Sequence, residues 1–381
     1  MVLSILAQSC ILMQTEVIRR RDMKNAPLSE KVRLGLIGFG LIGTPHARTL
    51  KKLDACDLVA ISDTDEKLKE AAELTGAKYY RHYEEMIEKE SLQGVVIAVP
   101  NQLHVPIGIT CARKGLHLFV EKPVAPSVSE ADRLIEAAKQ SKVRILVGHQ
   151  RRFNPLVEKA REIIRGGGLG KLVGVAVTWV LLKPSPYFEG PLSWRREKGG
   201  GPILINLIHD IDNMRYICGE VHRVYAVASH QVRSFPVEDT ASITLRFENG
   251  ALGTIFLSDC APSLSAYEAT TGETPYIYGT DTENCYHFFG TEASLAFPRM
   301  KKLFYSDPAK SGWNYPLSEE KITVVRGEDP YTREFRHFCG VILGKETPRT
   351  SGEDGRKTLE VTLAAGKSAE TGRSITLTQK S

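Results

Sequence analysis

The sequence predicts an α/β protein: a doubly wound parallel sheet first, then an α+β half with an open, mainly antiparallel sheet. Three observations carry this prediction. Residues 32–150 alternate short apolar runs with stretches of helical spacing. A glycine-rich turn joins the first such run to the first helix. After about residue 150 the runs lengthen, alternate in polarity and meet a hairpin turn.

Val32 to Ile37 is apolar enough for a buried parallel strand. Gly38-Phe39-Gly40-Leu41-Ile42-Gly43 follows and reads G-x-G-x-x-G. Ala47, Leu50 and Leu53 then fall at near-helical spacing, so a helix is expected to open at the third glycine. A second apolar run, Leu58 to Ser62, ends at Asp63, twenty residues past Gly43. Strand, glycines, helix, strand and acid in that order are the dinucleotide-binding (Rossmann) arrangement. Gly38 permits the tight turn, Gly40 lets a pyrophosphate approach the backbone, and Gly43 lets helix and strand pack closely. The phosphates then sit on the unpaired N–H groups of the helix N-terminus. Asp63 is placed to bond the adenosine ribose hydroxyls. Its charge would repel a 2′-phosphate, which favours NAD over NADP. An ordinary glycine turn is the competing reading, and it needs none of the flanking pattern.

Residues 1–31 read as an extension. Val2 to Met13 is mostly apolar, but Arg19-Arg20-Arg21 follow it, the reverse of a secretory signal. A loosely ordered segment is the plainest reading, with Met23 as an alternative start and an interfacial anchor as the rival. Asp65 to Thr75 reads as a helix stopped by Gly76. Gly94 to Val99 is a buried strand that ends at Pro100-Asn101, and His104 opens a helical stretch to Gly115. Leu116 to Val120 is a strand running into Glu121-Lys122-Pro123. Ser127 and Glu130 form a capping box for a helix carrying Ala131, Leu134, Ile135 and Ala138. Val143 to Val147 is the last strand of this half. Ligands bind such sheets at the carboxyl ends of the strands, where Pro100-Asn101 and Glu121-Lys122-Pro123 lie.

Beyond residue 150 a helix is expected over Pro155 to Arg165, ended by three glycines. Long strands are expected over Leu172 to Leu182, Arg223 to Val232 and Ala241 to Phe247. Asn249-Gly250 turns the last of these back as Ala251 to Ser258. A helix, Pro202 to Cys218, interrupts them. Residues 261–290 and 306–321 read as loops, and Tyr331 to Gly344 and Gly355 to Thr371 as helices. The expected division is an extension (1–31), a dinucleotide-binding domain (32–150) and a substrate-binding and oligomerisation domain (151–381).

The 381 residues allow two full cores. A net charge of +5, with acids and bases interspersed, gives no nucleic-acid footprint. No stretch approaches the roughly 20 apolar residues of a membrane span. Seven scattered cysteines without C-x-x-C fit a reducing, cytoplasmic setting, with Cys111, Cys218 and Cys339 as core. No paired Cys/His spacing suggests a metal, and Gly-x-Ser-x-Gly is absent.

Two residues could carry chemistry. Lys122 sits at a strand end, biased toward extended backbone by Pro123. Partly desolvated beside a positive nicotinamide, it would have a lowered pKa suited to moving a hydroxyl proton. The competing reading is a solvated loop lysine paired to Glu121. His209 lies in an apolar helix where Asn206, His209 and Asp212 or Asn213 share a face. Such a polar stripe costs stability unless it is satisfied or used. The alternative is a helix whose His and Asp bond each other and the sheet. Arg151 and Arg152, at the seam of the two halves, could bind substrate hydroxyls or form interdomain ion pairs.

These motifs together resemble the Gfo/Idh/MocA oxidoreductase family (glucose–fructose oxidoreductase, inositol dehydrogenase, rhizopine catabolism). The resemblance runs from about residue 32 to the end. Besides the glycine motif it rests on Val99-Pro100-Asn101-x-x-His104, Glu121-Lys122-Pro123, Gly148 to Pro155, Gly199 to Asp212 and Ser351 to Gly355. It implies a Rossmann domain, a C-terminal domain whose open sheet often forms a dimer or tetramer interface, and NAD(P)-dependent chemistry on a sugar or polyol hydroxyl. It further implies Lys122 as the catalytic lysine, His209 as the acid/base histidine, and Arg151 and Asp212 as substrate contacts. Pro100, Asn101, His104, Glu121 and Lys122 join the glycine motif and Asp63 at the cofactor. One departure stands out. The aspartate that many members carry four residues before the histidine is Ile205 here, and the neighbouring Asn206 cannot take a proton.

The expected activity is therefore hydride transfer between a sugar, inositol or sugar acid and NAD. Lys122 and His209 share the hydroxyl proton, while Arg151, Asn206 and Asp212 hold neighbouring hydroxyls. No metal and no nucleic-acid partner is expected. Two alternatives remain: a glycosidase that oxidises C3 transiently with NAD, and a non-catalytic sugar- and NAD-sensing regulator.

Overall fold

The computed structural model describes residues 31–274 and 276–377. The expected extension therefore lies outside the described residues, apart from Lys31. The first sheet has six strands: β1 (Val32–Ile37), β2 (Cys56–Ser62), β3 (Lys78–Tyr80), β4 (Gly94–Ile97), β5 (His117–Glu121) and β6 (Ile145–Gly148). Their order is β3-β2-β1-β4-β5-β6, all parallel. The order reverses between β1 and β4, which opens a crevice at the carboxyl ends of those strands. The connecting helices are α1 (Gly43–Lys52), α2 (Lys69–Glu73), α3 (Tyr83–Lys89), α4 (His104–Arg113) and α5 (Val128–Gln140).

Both faces of this sheet are buried, as its apolar strands require. On one face Leu34, Leu36, Val96 and Phe119 pack with Ala47 and Leu50 of α1. Phe335, Phe338 and Cys339 join them from α9 (Pro330–Ile342), far along the chain. On the other face Val95, Ile97, Leu118 and Val147 pack with α4, α5 and Leu359 of α10 (Gly352–Thr371). The last two long helices thus return to the first sheet and cover it.

After β6 come α6 (Pro155–Arg165) and β7 (Leu172–Val180), and then a π-turn over Ile203–Leu207 leading into α7 (Ile208–Cys218). The second sheet adds β8 (Val221–Ser229), β9 (Thr240–Phe247) and β10 (Leu252–Ser258). A short α8 (Tyr267–Thr271) precedes β11 (Tyr286–Gly290), β12 (Ala293–Phe297), β13 (Lys301–Phe304), β14 (Ser318–Lys321) and, after α10, β15 (Ile375–Thr376). The order is β14-β13-β12-β11-β7-β10-β9-β8-β15. Every pair is antiparallel except β7 with β10, so the sheet is mixed but mainly antiparallel. One face packs on α6, α7 and α10. The other leaves Val173, Tyr225, Val227, Leu252 and Phe256 exposed.

Three local expectations are corrected. The helix expected over Asp65 to Thr75 is a 3₁₀ turn, Glu66–Leu68, followed by the five-residue α2. Asp65 caps that turn by accepting from the Lys67 N–H, a local bond that competes with a regular helix. The stretch 261–290 holds α8 and the central strand β11. Tyr286, His287 and Phe288 alternate too briefly to announce a strand, and pairing on both sides with β7 and β12 makes them one. The stretch 306–321 ends in β14. Among the described residues no helix is long and apolar enough to cross a membrane.

Candidate active site

The glycine motif leaves β1 and enters α1 as the local chemistry demands. Gly38 has φ +93°, and a Cβ there would meet the Ala98 carbonyl oxygen at 2.5 Å. A Cβ on Gly43 would sit 1.9 Å from the Gly38 carbonyl oxygen, so helix and strand end are in direct backbone contact. A Cβ on Gly40 would meet nothing within 4 Å. Gly40 therefore faces open space, which a ligand can approach closely. No side chain caps the start of α1, so its first N–H groups remain available to an anion. Phe39 is buried, whereas Leu41 and Ile42 are exposed.

Asp63 stands just past β2. Its Oδ2 accepts from the Phe39 N–H at 2.6 Å and its Oδ1 from the Asp65 N–H at 2.9 Å. The carboxylate is thereby fixed beside the glycine turn. These residues fit a dinucleotide: an open glycine, a bare helix N-terminus and a positioned acid.

At the neighbouring strand ends, Asn101 begins a short 3₁₀ turn after the exposed Pro100. His104 is buried, with Nδ1 2.9 Å from the Pro123 carbonyl and Nε2 2.9 Å from the Val99 carbonyl. It ties the loops after β4 and β5 together. It is not open to a cofactor, because both ring nitrogens meet backbone. Glu121 is buried as well, bonded through Oε1 to His46 Nε2 at 2.6 Å and through Oε2 to the Lys122 N–H. Burial alone would raise its pKa, but the bond to and charge of His46, with Lys122, hold it below the usual value.

Lys122 is half-buried, and its Nζ donates to the Ile205 carbonyl at 3.2 Å. Ile205 lies in the π-turn, one helical turn before His209. The Lys122 ammonium from the first half thus reaches the π-turn that leads into the helix carrying His209, and its charge is felt by that imidazole. Burial lowers the pKa of Lys122, Glu121 opposes this, and Arg151 adds to it. Burial, then the charges of Lys122, Arg151 and His149, hold His209 well below its ordinary pKa, so it is neutral. Its Nδ1 is buried without a hydrogen-bond partner among the described residues.

Arg151 and Arg152 are both buried in ion pairs. Arg151 donates to Asp210 at 3.1 Å and Glu268 at 2.6 Å, and its guanidinium stacks on Tyr267. Arg152 grips Asp212 with two bonds, 2.8 and 2.7 Å. Asp212 is 1% exposed and also accepts from Thr358 at 2.8 Å. The face expected to unite Asn206, His209 and Asp212 is split. Asp212 turns to Arg152 and α10, and Asn206, in the π-turn, accepts from Lys183 at 2.7 Å. Arg151 and Asp212 are thus both buried with their charges matched by ion pairs.

Several residues here had no role in the sequence reading. Lys183, 7% exposed, lies 3.2 Å from Asp259 as well as bonding Asn206. Burial, against the pull of Asp259, brings its pKa down to about 8. Arg195 lies over the Tyr187 ring at 3.8 Å, and Lys183 over the same ring at 4.7 Å. His149 is buried 6.3 Å from the His209 ring, and burial pushes its pKa down to about 4 despite Asp212. A lysine between the end of an apolar run and Pro184 was the one signal available for Lys183.

A separate cleft of ≈ 860 Å³ is lined by Arg144, Arg152, Arg161, Arg165, Arg215 and Arg349, among others, and by none of Lys122, Lys183 or His209. Its buried guanidiniums are already matched, Arg152 by Asp212 and Arg215 by Glu220. Arg161 and Arg165, which have no carboxylate partner among the described residues, are solvated. Solvated charges of this kind contribute little. Among the described residues, no group of three or more His, Cys, Asp or Glu could hold a metal ion.

Comparison with known proteins agrees with this geometry. Residues 32–149 match the family profile described as an oxidoreductase family with an NAD-binding Rossmann fold. Residues 157–296 match that of the GFO/IDH/MocA C-terminal domain. The chain is 32% identical over 357 residues to a myo-inositol 2-dehydrogenase of Thermotoga maritima, spanning 91% of this chain and 98% of that protein. It is 26% identical to a scyllo-inositol 2-dehydrogenase (NAD(+)) of Bacillus subtilis, over 93% of this chain and 98% of that one. Among solved structures, a probable dehydrogenase from Thermotoga maritima superposes with a TM-score of 0.70 at 31% identity, covering 91% and 98% of the two chains.

Proposed function

Since the chain belongs to the Gfo/Idh/MocA oxidoreductase family and is an NAD(P)-dependent oxidoreductase, we propose that it is an NAD-dependent dehydrogenase of a polyhydroxylated substrate. Hydride passes between a hydroxyl-bearing carbon of a sugar, inositol or sugar acid and the nicotinamide. One observation carries this reading: the Lys122 ammonium bonds the backbone one turn before His209, at the strand ends beside the glycine turn. The two relatives named for inositol oxidation lend weight to the substrate class.

Gly38, Gly40, Gly43 and the N-terminus of α1 would hold the pyrophosphate, and Asp63 the adenosine ribose. The bound nicotinamide supplies the hydride acceptor. In oxidation the substrate hydroxyl must lose a proton as its carbon loses hydride. Neutral His209 has a lone pair to take that proton. The Lys122 ammonium donates to the oxygen as negative charge grows on it. In reduction the same pair returns the proton. Asn206 orients a neighbouring hydroxyl. We assign the exposed apolar face of the second sheet to self-association, as a dimer or tetramer.

Steady-state NADH formation with a panel of sugars, inositols and sugar acids tests this. Lys122→Ala and His209→Ala should each lower kcat by about 10²-fold or more. Near-normal turnover in both would remove the assignment, and turnover without net NADH would point to the transient-oxidation glycosidase.

A further inference from the structure

Two cations near one another, Lys122 and Arg195, have no carboxylate paired to them among the described residues, whereas Lys183 between them is paired to Asp259. A chain of contacts links them. Lys122 bonds the Ile205 carbonyl, the adjacent Asn206 accepts from Lys183, and Lys183 and Arg195 share the Tyr187 ring. Arg195 donates from Nη1 to the Tyr187 carbonyl at 3.1 Å. It is 9% exposed, and its Nε is buried without a partner among the described residues. Lys122 and Lys183 both feel its charge.

The carboxylates around these cations are each already engaged, and none is paired to Lys122 or Arg195. Glu121 is held by His46, and Glu268 by Arg151 and by Trp179 Nε1. Asp259 serves Lys183 and Arg233 together, and Glu238 accepts from the Ile203 N–H. No carboxylate lies within ion-pair distance of Arg195 or Lys122 among the described residues. A buried guanidinium with an unused donor costs stability unless something answers it. The Tyr187 ring answers part of it, through its π face. A hydroxyl would supply one acceptor and no charge. A carboxylate supplies two oxygens and the missing charge, and matches a guanidinium in shape.

We propose that the substrate is an anion, and that Arg195, with Lys183 beside it, receives a carboxylate of a sugar acid while Lys122 and His209 meet the hydroxyl to be oxidised. This rests on the dehydrogenase reading and narrows its substrate class. Arg195 and Lys183 are then specificity residues, touching the substrate away from the reacting carbon.

The test compares matched pairs in which only the charge differs: D-gluconate with sorbitol, D-galactonate with galactitol, and D-xylonate with xylitol. Binding to the enzyme–NADH complex is followed by titration calorimetry, which needs no turnover. For at least one pair the acid should bind about tenfold or more tighter than the alditol. That preference should shrink as salt is raised. Arg195→Gln should abolish it, and Arg195→Lys should keep a good part of it. Equal or tighter binding of the alditol in all three pairs overturns the proposal. So does a preference unchanged in Arg195→Gln, checked to be folded by its NADH affinity. If instead alditols bind and are oxidised with NADH formation, the dehydrogenase reading stands and the anionic subsite falls. If the acids bind through Arg195 but no pair yields NADH with any nicotinamide cofactor, the subsite stands and the redox reading falls.

Discussion

Two single methyl groups should separate folding from cofactor binding. At Gly40 an added Cβ meets no protein atom within 4 Å, so Gly40→Ala should fold normally. Losing a glycine from the unfolded chain would even favour the folded state by about 0.4–1 kcal/mol. The same methyl projects into the space in front of the α1 N-terminus. If the pyrophosphate lies there, it must move away from the N–H groups that hold it. A tenfold loss in NADH affinity, about 1.4 kcal/mol, is a modest expectation. Gly43→Ala is the opposite case. Its Cβ would sit 1.9 Å from the Gly38 carbonyl oxygen, so α1 must lift from the sheet. That loosens the burial of Ala47 and Leu50, both fully buried, at a cost of about 3 kcal/mol. Thermal melts and NADH fluorescence titrations of both variants decide the matter. Gly40→Ala should melt within about 2 °C of the parent and bind NADH weakly, while Gly43→Ala should melt about 6 °C lower or more. Normal NADH binding by Gly40→Ala would refute the cradle, and a parent-like melt for Gly43→Ala would refute the close backbone contact.

Other consequences follow from the same geometry. Asp63→Ser should raise the ratio of NADP to NAD activity by about tenfold or more, since the like charge facing a 2′-phosphate is removed; an unchanged ratio would show that Asp63 does not read the ribose. Asp212→Asn should destabilise the fold by about 3 kcal/mol, because it removes the carboxylate that grips Arg152 with two bonds and leaves only Asp354, at 3.3 Å, to match that buried charge. A substrate contact would instead raise KM with the melting temperature intact, so thermal and kinetic measurements on one variant discriminate. His149 is buried and neutral, with its pKa down to about 4 against an ordinary value near 6.5. The unfolded chain therefore takes up this proton first as pH falls. Stability should be flat above about pH 6.5 and decline between 6.5 and 4, by at most about 3 kcal/mol from this group. Urea melts of His149→Gln across that range should show a shallower decline, and an unchanged slope would place the proton uptake elsewhere.

The glycine turn was legible because its demands are local. A positive φ, a bare approach and a close backbone contact each require glycine at a fixed offset, whatever the rest of the chain does. The apolar strands of the first sheet were legible for a similar reason: burial on both faces leaves no choice of composition. Strand β11 was not, because five residues within a polar stretch become a strand only when β7 and β12 lie alongside. Lys183 and Arg195 were hidden in the same way. They sit in a proline- and glycine-rich stretch with no period, and only tertiary packing brings both to the Tyr187 ring. For Arg151 and Arg152 the sequence left two roles open, and the ion-pair half of them is visible in the structure: each guanidinium is enclosed with carboxylates matched to it.

The helix that carries His209 shows how a departure in side chains can be made good elsewhere. Where the family resemblance implies an aspartate, the chain has Ile205 and then the neutral Asn206, both within a π-turn. Lys122 takes its acceptor from the Ile205 backbone instead of from a side chain. A carbonyl holds an ammonium in place without supplying a charge to cancel its own. Asn206 does the same for Lys183, bonding it at 2.7 Å while adding no negative charge. With an aspartate at that position, Lys183 would face two carboxylates, since Asp259 is already 3.2 Å away. With asparagine, Asp259 is the one carboxylate that Lys183 meets among the described residues. If the substrate is the anion proposed above, a neutral Asn206 beside Lys183 suits it, because the side chain orients the lysine without adding a competing carboxylate.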